Sequence, residues 1–331
     1  MKLQTKFDAL NEVLQNNHRF AILSHIHTDG DALGSTLALF HYLRNKGKEA
    51  HIFIPGEIPP KYDFLNTERY INRYDGKEAA EIIHRVDVVL ILDISALKRL
   101  EPFYEPVMQA PAKRFCIDHH PIEENGFDLS IVDTSRVATA EILYAFFKHI
   151  DAEIDFSMAE ALYTAILSDS GGFRFQHTDQ FTFMMAAELV QLGVDPVLMY
   201  SRIFEAGHYR QIKAWGALLD RVQSRGTLAW VEVTQEFLQD KKISLEEIDG
   251  IIDILRKDRQ ASILAVFVEK EKDLVMVGLR SKNGVNVGAV AERFGGGGHY
   301  HAAGFTMMKP LEQVVRDTIH TLERHNIGGQ G

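Results

Sequence analysis

Apolar and polar positions along the chain fall into short continuous runs that alternate with stretches of helical spacing. Phe7, Leu10, Val13 and Leu14 repeat as one face of a short helix, and Phe20–Leu23 is an apolar run of strand length. Leu33, Leu37, Phe40 and Leu43 then line one side of a helix over Ala32–Leu43. Further strands are predicted at His51–Ile54, Val86–Leu92 (with Asp87 interrupting it) and Arg114–Ile117, and helices at Lys77–His84 and Ala138–Phe147. This alternation predicts a parallel sheet covered by helices on both faces. A helix over Ser157–Leu167 and another over about 178–192 follow, the latter stopped by Gly193-Val194-Asp195-Pro196.

After a helical stretch at Val197–Leu219, the pattern restarts. It predicts strands at Leu228–Val233, Ile263–Glu269 and Leu274–Leu279, and helices at Leu245–Leu255, Val287–Arg293 and Leu311–Arg324. The expected organisation is a catalytic α/β domain over 1–196, a helical linker over 197–222, a smaller α/β substrate domain over 223–326 and a disordered tail over 327–331.

Composition narrows the class. With 331 residues, 46% hydrophobic and 25% charged, the chain has the balance of a globular protein with room for two cores. Its formal charge of -10 argues against a groove for long nucleic acid, while leaving small phosphorylated substrates open if cations neutralise them locally. Cys116 is the single cysteine, the N-terminal stretch lacks the apolar segment of a signal peptide, and no run reaches membrane-span length. The expected location is cytoplasmic. A homodimer is compatible with the sequence, and no stretch demonstrates one.

The chemistry concentrates where apolar segments end. Ser24-His25-Ile26-His27-Thr28-Asp29-Gly30-Asp31 follows the first strand and opens a helix, which is where α/β sheets place ligands. Asp93 ends the third apolar run, Asp118-His119-His120 ends the next, and Asp169 follows a helix. The first stretch also reads as an ordinary helix start, with Asp29 or Asp31 as N-cap and His25 a strand-end histidine. Four sets of carboxylate and imidazole at successive element ends, with no thiolate, instead favour Mn²⁺, Mg²⁺ or Co²⁺. Asp93, at the end of the central strand, is the natural bridge between two ions.

These motifs, in this order, resemble those of the DHH phosphoesterases, and Gly295-Gly296-Gly297-Gly298-His299-x-x-Ala302-Ala303-Gly304-Phe305 is similar to the signature of the DHH-associated C-terminal domain. Length and the short linker resemble the bacterial nanoRNase/pAp phosphatase group. The resemblance implies hydrolysis of very short RNA and of 3′-phosphoadenosine-5′-phosphate, with two divalent cations, Mn²⁺ first, activating a hydroxide. It implies that His25, Asp29 and Asp93 hold one metal, and that Asp31, Asp93, His119 and Asp169 hold the other. His120 is implied as a donor or general acid, and Asp118 as the acceptor that fixes the tautomer of a ligand histidine.

On the substrate side, the resemblance implies that Arg280 and Ser281 grip a terminal phosphate. Gly296, Gly297, Gly298 and His299 are expected to contact substrate, the glycines through their backbone N–H groups. Arg99 is expected either to neutralise a phosphate or to cap its own helix. Thr139 and Glu141 are similar to a helix-start pattern of this group, and His27 is read as a loop residue. The alternatives are a phosphodiesterase of cyclic or linear signalling dinucleotides and a non-catalytic nucleotide-binding regulator. A regulator would be expected to have lost a ligand such as Asp93 or Asp169, and both are present.

Overall fold

The computed structural model describes residues 2–26, 28–71, 76–94, 97–121, 126–175, 177–248, 250–282 and 284–328. The expectation for His27 therefore lies outside the described residues, as does residue 329 onward of the expected tail. The chain divides into two compact units, Met1–Ala206 and Gly207–Gly331.

In the first unit the strands are β1 (Arg19–Leu23), β2 (Glu49–Phe53), β3 (Val88–Leu92), β4 (Lys113–Asp118) and β5 (Leu129–Val132). All pair in parallel, in the order β2-β1-β3-β4-β5. The helices are α1 (Leu3–Asn16), α2 (Gly30–Asn45), α3 (Thr67–Tyr70), α4 (Gly76–Arg85), α5 (Tyr104–Gln109), α6 (Thr139–His149), α7 (Phe156–Asp169), α8 (Gln180–Gln191) and α9 (Pro196–Phe204). The predicted fold class, a parallel sheet with helices followed by a smaller α/β unit, is the one observed.

Period-two alternation explains the layers. Phe20, Ile22, Val88, Leu90 and Leu92 pack with α1, α2, α6 and α7, while Ala21, Leu23, Val89 and Ile91 pack with α4 and α5. Both faces are covered, so β3 is buried along its whole length. Asp87, expected to interrupt this strand, precedes it. Its carboxylate accepts from the amides of His18 and Arg19 and from the Arg19 guanidinium, which ties the start of β1 to β3. The helix α2 was expected to bury one side, but it is buried almost all round, because α7 packs on the side away from the sheet.

That packing depends on two glycines. A Cβ on Gly34 would run into the Ala161 carbonyl and come within 2.9 Å of the Ala165 side chain, and one on Gly30 would meet Ser168. Small residues on both helices let their backbones approach, which carries the last turn of α7 to the first turn of α2.

Beyond α9, whose Met199 and Ile203 enter the first core, the chain continues into α10 (Tyr209–Leu219), which belongs to the second unit. The segment expected as one linker is thus two helices divided between the units. The second unit contains β6 (Gln223–Arg225), β7 (Leu228–Val233), α11 (Gln235–Lys241), α12 (Ile251–Leu255), β8 (Ile263–Glu271), β9 (Leu274–Ser281), α13 (Val287–Arg293), β10 (Gly297–His299), β11 (Ala302–Met308) and α14 (Leu311–Gly328). Its sheet runs β10-β11-β9-β8-β7-β6, with β7 and β8 parallel and the other pairs antiparallel. The short edge strands β6 and β10, the strand β11 and the helices α5 and α11 carry too weak a periodicity to be expected from sequence. The helix expected over Leu245–Leu255 is divided into a 3₁₀ turn and α12, with Gly250 at φ 81° between them. No single helix among the described residues is long and apolar enough to cross a membrane.

Candidate metal centre

The strand order reverses direction between β1 and β3, and the carboxyl ends of β1, β3 and β4 deliver the polar residues to that point. His25 follows β1, Asp93 follows β3, Asp118 ends β4 with His119 and His120 behind it, and Asp169 is the last residue of α7.

Three overlapping groups form, in each of which every residue offers a ligand atom within 4.8 Å of the others: His25, Asp29 and Asp93; Asp31, His119 and Asp169; and Asp93, Asp118, His119 and His120. Asp93 stands between the first two. Its Oδ2 lies 3.2 Å from His25 Nε2, and its Oδ1 lies 3.5 Å from His119 Nε2. To do this it adopts a left-handed backbone with φ 60°, a conformation uncommon for a residue with a side chain and concentrated at functional sites.

Each member is held from behind. Asp29 is both helix cap and site residue: its Oδ1 accepts from the amides of Asp31 and Ala32, while its Oδ2 lies 3.6 Å from His25 Nε2. The two readings of this stretch were therefore not alternatives. Asp31 is fully buried, and it accepts from Ser35 Oγ and from the amides of Thr139 and Ala140 at the start of α6. His119 Nδ1 lies 3.2 Å from the Arg136 carbonyl, which can only accept. Nδ1 therefore carries the proton, and Nε2 presents its lone pair towards Asp169, Asp93 and Asp31 at 3.4, 3.5 and 3.8 Å.

One expectation is corrected by this arrangement. Asp118 does not fix the tautomer of His119; the Arg136 carbonyl does. Asp118 Oδ1 instead accepts from the His120 amide and lies 2.8 Å from His120 Nδ1, which is also 3.4 Å from Asp93 Oδ1. Neighbouring residues at the end of a strand point in different directions, so Asp118 reaches the second histidine rather than the first.

Charges in the cluster divide sharply. Burial, and then the surrounding carboxylates, push Asp31 and Asp169 well above the usual carboxylate range. Burial would also raise Asp93, but hydrogen bonds from His120 and His25 overcome it and hold that carboxyl well below the usual range. Burial lowers His119. It opposes charge on His120 too, yet the contacts with Asp118 and Asp93 push that imidazole up to about 11.

This donor set fits divalent cations. Four carboxylates and two imidazoles converge without a thiolate, and a neutral imidazole aims its lone pair at three carboxylates. Such an arrangement is repulsive unless a cation lies among the donors.

The substrate-side residues are placed less uniformly. Arg99 is exposed in a 3₁₀ turn at Leu97–Leu100, near enough for its charge to act on His25. Arg280 is half-buried at the end of β9, and its guanidinium donates to the Leu279 carbonyl. Ser281 is fully buried, so its expected phosphate contact is replaced by an internal one: its hydroxyl bonds the Val285 carbonyl and His301 Nδ1, each at 2.7 Å. The glycine stretch also differs from expectation. The amides of Gly295 and Gly296 cap the end of α13 by donating to Glu292 and Ala291, so Gly296 does not offer its N–H to an anion. Gly297, Gly298 and His299 form β10 against β11, where a Cβ on Gly296 or Gly298 would strike that neighbour. The side chain of His299 lies outside the described residues.

A parallel α/β unit carrying this acidic and histidine cluster, joined to a mixed-sheet unit with a glycine-rich hairpin, defines a phosphoesterase of the DHH family. Residues 19–166 match the DHH family, N-terminal domain, and residues 229–325 match the DHHA1 domain. The chain belongs to this family and is a hydrolase acting on phosphate ester bonds. It is 31% identical over 290 residues to the "Bifunctional oligoribonuclease and PAP phosphatase NrnA" of Thermus thermophilus, covering 86% of this chain and 83% of that protein. Identity to the Bacillus subtilis protein of the same name is 28% over 284 residues, covering 85% and 86%. An exopolyphosphatase-related protein from Bacteroides fragilis has the same fold, with a TM-score of 0.93 at 23% identity over 99% of this chain and 98% of that one.

Proposed function

We propose that this protein hydrolyses short oligoribonucleotides and 3′-phosphoadenosine-5′-phosphate, the activities for which the Thermus thermophilus and Bacillus subtilis relatives are named. The observation that carries the reading is Asp93, whose two oxygens face two ligand groups at once. His25, Asp29 and Asp93 would hold one divalent cation, and Asp31, Asp93, His119 and Asp169 a second, with Mn²⁺ preferred and Mg²⁺ or Co²⁺ as substitutes. Such a pair supplies Lewis acidity at phosphorus and an acidified water.

The chain's own groups supply the rest. His120, oriented by Asp118 through Nδ1, is the proton donor to the leaving oxygen. The guanidinium of Arg280 holds a terminal phosphate, for which a planar fork of donors is suited. Arg99 adds positive charge beside an otherwise acidic cluster. A net charge of -10 suits substrates of two to a few nucleotides rather than long strands.

The test is incubation with Mn²⁺ and a mixture of 3′-phosphoadenosine-5′-phosphate, a 5′-phosphorylated RNA dinucleotide, a twenty-nucleotide RNA and a cyclic dinucleotide, with products read by mass. Loss of the first two, with Asp93→Asn inactive, is the expected result. Turnover of the cyclic compound alone moves the assignment to signalling dinucleotides. Equal turnover of the long RNA and the dinucleotide overturns the length preference.

A further inference from the structure

We propose that Thr139 is a positioning residue for both cation groups, setting the rotation of the Asp93 carboxylate while α6 fixes that of Asp31. This inference rests on the proposal that Asp31 and Asp93 hold divalent cations, and it adds a residue outside the ligand set. Thr139 is fully buried at the first position of α6. Its hydroxyl lies 3.3 Å from Asp93 Oδ1 as a donor, and its amide donates to Asp31 Oδ2 at 2.6 Å. The next amide, of Ala140, donates to Asp31 Oδ1 at 3.1 Å.

The first amides of a helix lack partners within the helix and carry partial positive charge. The N-cap of α6, Ala138, has no side chain able to accept from them. Asp31, more than a hundred residues earlier, takes that place. A helix start is thereby joined to a carboxylate that would otherwise be buried among others, and its rotamer is fixed through both oxygens.

The hydroxyl adds what the amides do not. Asp93 must present one oxygen to each group, and rotation about its terminal bond would spoil both. Thr139 Oγ1 holds Oδ1 on the His119 side, leaving Oδ2 towards His25. The turn that carries Thr139 is itself anchored: Glu141 is buried, accepts from the Val137 amide and is bonded to Thr182 Oγ1. Thr139 thus presents its hydroxyl from a fixed frame.

The test is Mn²⁺ affinity of the full-length protein, measured by calorimetry on metal-stripped samples without substrate. Thr139→Val keeps shape and amide but removes the donor, and Thr139→Ser keeps the donor. The expected result is Mn²⁺ binding weakened ~10–100-fold in the valine variant and restored to within ~3-fold by serine, the range seen when groups that orient ligands are lost. Should valine prevent folding, Thr139→Ala gives the same comparison. Wild-type affinity in a folded valine or alanine variant, or serine as weak as valine, overturns the inference alone. Absence of Mn²⁺, Mg²⁺ and Co²⁺ binding by the wild type overturns the metal reading, and this inference with it.

Discussion

Gly34 of α2 and Ala161 of α7 approach so closely that a methyl group on the glycine would meet the Ala161 carbonyl oxygen. The obstacle is backbone, so neither helix can yield by turning a side chain. Asp169 sits at the end of the same α7, and its place beside His119 depends on that approach. Gly34→Val is expected to destabilise the protein by about 1–3 kcal/mol, the range for overpacked cores. It is also expected to weaken Mn²⁺ binding, because α7 must move. Urea unfolding of the metal-stripped protein and a separate metal titration measure the two effects.

Asp93→Asn tests the bridge with little disturbance of the backbone. Asparagine tolerates the left-handed conformation nearly as well as aspartate, so the fold is expected to survive. Loss of the negative charge is expected to lower Mn²⁺ affinity at least ~10²-fold, beyond the effect of removing groups that merely orient ligands. Circular dichroism at wild-type level with no detectable hydrolysis is the expected pair of results. An unfolded variant would point to a structural role.

Much of this site could be read from residue types alone. His25, Asp29, Asp31, Asp93, His119 and Asp169 stand at element ends, and the sheet brings all six together. What escaped the sequence was main-chain chemistry. The Arg136 carbonyl that orients His119, the α6 amides that hold Asp31 and the glycine contact that admits α7 involve atoms common to every residue. Ser281 misled for the opposite reason. Its side chain matches a motif, but the fold turns it inward to Val285 and His301.

That burial separates the roles of two adjacent residues. Ser281→Ala would leave the Val285 carbonyl and the His301 ring without the hydroxyl, at a cost of about 1–3 kcal/mol. Arg280→Ala is expected instead to raise KM for 5′-phosphorylated substrates at least ~10-fold with a small change in melting temperature. Thermal unfolding and kinetics on both variants check the division; a stable Ser281→Ala protein with raised KM would reverse it.

At the far end of the first sheet, Asp87 gives a pH signature independent of metal. Hydrogen bonds from Arg19 bring its carboxyl down to about 2. A depressed carboxylate contributes stability that is present above its unfolded value, about 4, and is lost as pH falls towards about 2. The pair is partly exposed, so after solvent screening Asp87→Asn is expected to cost only about 1 kcal/mol at neutral pH. The gap between wild type and variant in urea midpoint should narrow below pH ~4. A gap that stays constant through that window would sink the idea.

The second sheet ends on both sides in a strand of three residues, Gln223–Arg225 and Gly297–His299. A longer flat edge would offer a row of unpaired amides and carbonyls on which another chain could add a strand. Here the glycine-rich stretch, shaped by close contact with β11, covers only residues 302–304 of that strand, so the edge passes from β10 to residues 305–308 of β11 within one sheet.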